Sequence, residues 1–332
     1  MPSRLPLNRR HLLAAAPLLA LPGIAHAQVA WKPTQAMRIV VPAAPGGTTD
    51  VLARLIGNHL QQKWGVSVVI DNKSGAGGVL GTMEVVRAAP DGHTFLMGNI
   101  GPQSIAYSLY RNLQYKPSSL VPVTNVLATP NALVVHPSVP AKTVPEFVAW
   151  LKAQDGKVSY ASSGTGQSPH LSGALFLQLT GAKATHVPYR GAAPALQDLV
   201  AGQTQYFFDN LTTAIEFLRA GKLRALALSS AQRNPMVPDL PPIRETMPEL
   251  ASFDVSAWFG VFYPAGVPRA AVDALNAAIK EWIELPVTKE RFAQMAGYAA
   301  WSPPEQFATF VEQQIVRWKG VIEKEGLQLD VN

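Results

Sequence analysis

Short runs of β-branched and aromatic residues alternate with longer stretches in which apolar residues recur at three- and four-residue steps. That alternation predicts an α/β sheet with helical crossovers. Residues 38–41 read as the first strand and 50–64 as the first helix, because Leu52, Leu55, Ile56, Leu60 and Trp64 share one face and Gly65 follows as a stop. Strands are expected at 66–70 and 94–97, and the turn from Gly75 to Gly81 leads into a helix through Met83 and Val86. A new unit is expected near Asn131. It comprises strands at 131–135, 158–161, 185–187, 204–208 and 224–228, with helices at 144–153, 170–179 and 212–220 and another around Asp198 and Leu199. After a proline-rich connection at 235–248, residues 255–262 read as a buried strand, and helices follow at 270–283, 289–295 and 304–324.

The first residues break this pattern. Arg4, Arg9 and Arg10 precede a short apolar run at 12–21, and Ala25-His26-Ala27 has the small-x-small form read by signal peptidase. A cleavable signal peptide over 1–27 is therefore expected, with Gln28 as the mature N-terminus. The Arg9-Arg10 pair leaves both the general and the twin-arginine export routes open. About 300 residues remain, enough for two domains. Losing three arginines halves the formal net charge of +6, too little to point to nucleic acid or an anionic membrane surface. There is no cysteine, hence no disulfide and no lipoprotein anchor, and no later apolar segment is long enough to span a bilayer. A periplasmic protein is the expectation.

Candidate chemistry lies in the loops. Pro45-Gly46-Gly47-Thr48-Thr49-Asp50 joins a strand to a helix, where glycines admit close approach and the first helical amides lack partners. Such a helix start attracts an anion. Ser162-Ser163-Gly164-Thr165-Gly166-Gln167-Ser168 repeats the arrangement in the second unit, so two entrances could grip the ends of a small anionic solute. In a third loop, Gly191 offers backbone to a cleft and Tyr189 a wall, while Arg190 is a weaker candidate for a carboxylate.

Enzyme readings do not fit. Gly75-Ala76-Gly77-Gly78-Val79-Leu80-Gly81 lacks dinucleotide-loop spacing and reads as a packing turn. Gly166-Gln167-Ser168-Pro169-His170 lacks the closing glycine of a nucleophile elbow, and the histidines have no metal-ligand spacing. His170 reads as a helix-start side chain.

Several blocks recur in a fixed order: Ile39-Val40-Val41-Pro42 with the first glycine loop, Gly75-Ala76-Gly77-Gly78, Pro90-Asp91-Gly92-His93-Thr94, Ser162-Ser163-Gly164, His170-Leu171, Val187-Pro188-Tyr189-Arg190-Gly191, Pro194-Ala195-Leu196, Phe208-Asp209, Gly221-Lys222-Leu223-Arg224-Ala225-Leu226 and Trp258-Phe259-Gly260. Through them the mature chain resembles the tripartite tricarboxylate transporter receptor family, known in some bacteria as Bug receptors. The resemblance implies a type II periplasmic binding protein fold, α/β, with two lobes joined by two crossing strands. Lobe 1 would take 28–130 plus 256–332 and lobe 2 would take 131–255, with the crossings at 131–135 and 255–262.

The resemblance further implies a carboxylate-bearing solute held by backbone amides and ordered waters, then passed to a membrane permease of one large and one small subunit. The expected ligand-binding residues are Pro45, Gly46, Gly47, Thr48, Thr49, Asp50, Ser163, Gly164, Thr165, Gly166, Gln167, Tyr189 and Gly191. Asp209 joins them on the resemblance alone. No cofactor, metal or catalytic residue is expected, and the protein should be a monomer. Ala43 stands where the family often has an aromatic residue, Gln167 replaces a usual serine or threonine, and Ala174 replaces a frequent glutamate. Ala43 is expected to widen one cleft wall and Gln167 to add an amide hydrogen-bonding pair, so that a bulkier or more polar solute than a simple dicarboxylate is admitted. A sensor feeding a signalling receptor, or a periplasmic hydrolase, are the alternatives, and the solute itself is not identified.

Overall fold

The computed structural model describes residue 3 and residues 31–329 apart from 326. The signal-peptide expectation otherwise lies outside the described residues. From Trp31 onward the chain forms one compact unit built on a ten-stranded mixed sheet.

The first half of the sheet starts with β1 (Met37–Val41), which leads through the first glycine loop into α1 (Thr48–Trp64). Leu52, Ala53, Ile56 and Leu60 are buried, and Gly57 lets α1 settle against Ile39, Val68 and Ile70. Gly65 ends the helix in the left-handed conformation, as its position predicted. Next come β2 (Val68–Asn72), α2 (Val79–Val86) and β3 (Thr94–Asn99), with β2 and β3 parallel to β1 on either side. A single π-helical turn at Gly101–Ile105 runs into α3 (Ala106–Leu109).

β4 (Leu120–Val135) is then one strand of 16 residues. Its first part pairs with β9 as far as Pro130, and from Asn131 it pairs with β7 and β8 instead. The reading that began a strand at Asn131 therefore found only its second part. Pro122 and Pro130 hid the rest, because proline is ordinarily confined to edges and bulges. The register indeed shifts between Pro122 and Thr124 and again between Asn125 and Leu127.

The second half repeats the first. After α4 (Val144–Gln154), β5 (Ser159–Ser162) feeds α5 (Ser168–Thr180) as β1 feeds α1. β6 (Thr185–Pro188), α6 (Ala192–Val200), β7 (Tyr206–Asn210), α7 (Leu211–Arg219) and β8 (Arg224–Leu228) follow, with β6 and β7 parallel to β5. Tyr206 and Phe208 of β7 enter one core and Phe207 the other, as strand alternation requires. Each such buried ring contributes about 1.5–3 kcal/mol of apolar burial.

The chain returns to the first half as β9 (Ser256–Pro264), antiparallel to both β3 and β4. α8 (Arg269–Glu284), α9 (Pro286–Gln294), the two-residue β10 (Tyr298–Ala299) on β4, and α10 (Pro304–Glu325) complete the fold. Phe307 of α10 packs over Gly260, where an added Cβ would lie 2.2 Å from the ring. In both halves the carboxyl ends of the parallel strands carry the glycine loops, which is where open α/β sheets bind ligands.

Candidate functional site

The first loop is held by one carboxylate. Asp50 is buried, and its oxygens accept from the Gly46 amide, from Arg54 through two nitrogens, and from Asn72, each at 3.0 Å. Asn72 also donates to the Ala43 carbonyl. Burial alone would raise the Asp50 pKa, but the bonds from Arg54, Gly46 and Asn72 together outweigh it and hold the carboxyl below the ordinary aspartate range. All this capacity is spent on the protein, so Asp50 shapes the loop from behind. Gly47 is the N-cap of α1 and has no side chain to cover the first helical amides.

The second loop is held by imidazoles. Ser162 Oγ accepts from the Gly164 amide and lies 2.6 Å from His186 Nε2. His170 Nδ1 accepts from the Gly166 amide, and the two imidazoles stack with centroids 4.3 Å apart. Burial depresses both: His170 to about 4 and His186, which also feels His170, to about 3. Both are neutral near pH 7. Ser162 and His186 are spaced like a nucleophile and its base, yet Ser162 has no solvent exposure and lies behind the cavity walls. α5 begins at Ser168 with Pro169 in its first turn, two residues before the expected start.

The two halves meet along these loops. The Ala44 amide donates to the Arg190 carbonyl at 2.9 Å, and the hydroxyls of Thr48 and Thr212 lie 2.6 Å apart. Tyr110 donates to the Thr165 carbonyl at 3.1 Å, and Gln167 Nε2 donates to the Gly77 carbonyl at 2.7 Å. At Gly77, with φ of 60°, an added Cβ would lie 2.0 Å from the Thr165 oxygen.

Two cavities flank this seam. The inner one, about 30 Å³, is lined by Gly47, Thr48, Thr49, Ser163, Gln167 and Gly191 among the expected residues. The outer one, about 810 Å³, is lined by Ser163, Gly164, Thr165, Gln167 and Tyr189, with Arg190 at its rim. Pro45, Gly46, Asp50, Gly166 and Asp209 line neither. Asp209 is fully buried at the end of β7, where it accepts from Thr213 at 2.7 Å, and burial pushes its pKa up to about 8.

Sequence reasoning missed Asn99 and Asn210 in the inner wall, which Ser168 of the second loop also lines. Asn99 and Asn210 end β3 and β7, and a polar residue at the carboxyl end of a parallel strand was the available signal. Asn210 Oδ1 is buried without a partner. The Gly75-to-Gly78 turn, read as mere packing, forms one wall of the outer cavity. Gln167, expected to add an amide hydrogen-bonding pair to the cleft, has its Nε2 engaged by the Gly77 carbonyl. Among the described residues no group of three or more His, Cys, Asp or Glu could hold a metal ion.

Residues 52–327 match the model of the tripartite tricarboxylate transporter family receptor. Among solved structures, the periplasmic binding protein BugD is 33% identical, with a TM-score of 0.85 over 89% of this chain and 99% of BugD. An R. palustris protein solved with adipate is 34% identical, with a TM-score of 0.85 over 89% of this chain and 98% of that one. MatC from Rhodopseudomonas palustris, solved with malate, is 34% identical, with a TM-score of 0.82 over 87% of this chain and 99% of MatC. The expected type II periplasmic binding fold agrees with these likenesses.

Proposed function

The chain belongs to the tripartite tricarboxylate transporter receptor family, and on that premise we propose that it captures a small carboxylate-bearing solute in the periplasm without altering it. One observation carries this reading: the start of α1 and the start of α5, from opposite halves of the sheet, both open onto the inner cavity. Amides of Gly47 to Thr49, Ser163 and Ser168 supply donors, and the two helix starts supply the positive ends of their dipoles. No Lys or Arg lines this cavity among the described residues, so main-chain and hydroxyl donors take the negative charge. Asn210, with its buried unpaired Oδ1, adds an acceptor for a hydroxyl or amino group beside the carboxylate. The solutes of the relatives, adipate and malate, fit this chemistry.

In this reading 28–130 plus 256–332 and 131–255 are two lobes that close on the solute, and the changes of partner at Pro130-Asn131 and Val255-Ser256 are the crossings between them. The loaded, monomeric receptor then engages a permease of one large and one small subunit. Residues 1–27 serve export and are removed.

A thermal-shift screen of the mature protein against mono-, di- and tricarboxylates tests the reading. A bound acid raises apparent stability in a dose-dependent way, by about 2.7 kcal/mol at a hundredfold excess over Kd. The recovered acid should be chemically unchanged. No shift with any carboxylate, or conversion of the acid, would refute the proposal.

A further inference from the structure

We infer that Gln167 sets the length of carboxylate that the cleft accepts, which rests on the receptor reading above. The residue is 8% exposed, and its side chain belongs to the walls of both cavities. It is the partition between them. The partition is fixed at two places. Nε2 donates to the Gly77 carbonyl of the opposite half at 2.7 Å. The amide also lies flat on Gly101, where an added Cβ would meet Cδ, Oε1 and Nε2, each at 2.8 Å.

Size decides what such a wall does. The inner cavity of about 30 Å³ holds about two water-sized groups, since one water needs roughly 10–15 Å³. That is room for about one carboxylate group. A longer chain growing from it meets the Gln167 amide, beyond which lie about 810 Å³ lined by Tyr110, Tyr189 and the stacked His170 and His186. Admitting that chain costs the bond to Gly77 and leaves a buried amide without a partner. The fewer atoms an acid carries beyond its first carboxylate, the smaller this cost.

Isothermal titration of the mature protein with the unbranched diacids from malonate to suberate tests the inference in the wild type and two variants. Gln167→Ser removes the partition. Gly101→Ala keeps Gln167 but displaces its amide, at a helical position whose φ is not in the left-handed region. The wild type should favour the short diacids, and each variant should shift the suberate-to-malonate affinity ratio towards suberate by about tenfold or more. Wild-type protein that binds suberate as tightly as malonate would overturn the inference. So would an unchanged ratio in both variants while malonate still binds. If the wild type binds no diacid or other carboxylate, the receptor reading falls and this one with it.

Discussion

At the end of β7, Asp209 keeps a proton that an ordinary aspartate has lost. Its carboxyl has no exposure, one oxygen accepts from Thr213, and the other has no partner, so burial lifts its pKa to about 8. Between its ordinary value of 3.8 and about 8, the folded chain holds a proton that the unfolded chain releases, so stability falls as pH rises through that window. His170 and His186 have the opposite sign. Their folded values of about 4 and about 3 lie below the ordinary 6.5, so stability falls as pH drops below 6.5 towards those values. The urea midpoint should therefore decline on both sides of a maximum. Asp209→Asn should flatten only the alkaline side, gaining more at about pH 8 than at about pH 5. A parallel gain at both pH values would mean that Asp209 is already ionised in the folded chain.

Among the elements, β4 has the widest consequences because it is a single strand serving both halves of the sheet. Melting either half removes hydrogen-bond partners from the other, so the two should unfold together. A calorimetric scan of the mature protein should give one transition whose calorimetric and van't Hoff enthalpies agree. Two resolved peaks would show that β4 does not couple the halves. This strand is also where sequence reasoning fell short, since Pro122 and Pro130 disguised its first part and Gly101-Pro102 disguised the π turn before α3. The glycine loops and most helices were legible, because α1 and α10 show plain apolar spacing and Gly65 marks the end of α1 as expected. What spacing along the chain did not reveal were contacts between distant segments. Gln167 against Gly77, Thr48 against Thr212 and the inward Asn210 exist only once the halves meet.

For the molecule as a whole, the seam between the halves is closed partly by main chain alone. At Gly77 the backbone meets the Thr165 carbonyl with no room for a side chain. Gly77→Ala adds a Cβ 2.0 Å from that oxygen, at a φ of 60° that alanine also resists. The variant should fold, because Gly77 is only half-buried in the short 3₁₀ turn Ala76–Gly78 that precedes α2, but its halves should stand further apart. Small-angle scattering with saturating solute should give a larger radius of gyration than the wild type, and affinity should drop by about tenfold or more. An unchanged radius and affinity would mean that this approach is dispensable.

A stop made of peptide groups also has a bearing on how such a chain diversifies. Replacements at Ala43 or Asn210 alter what is held, while the place where the two surfaces come to rest is set in part by atoms that every residue shares. Appetite can drift without disturbing the outline of the loaded molecule.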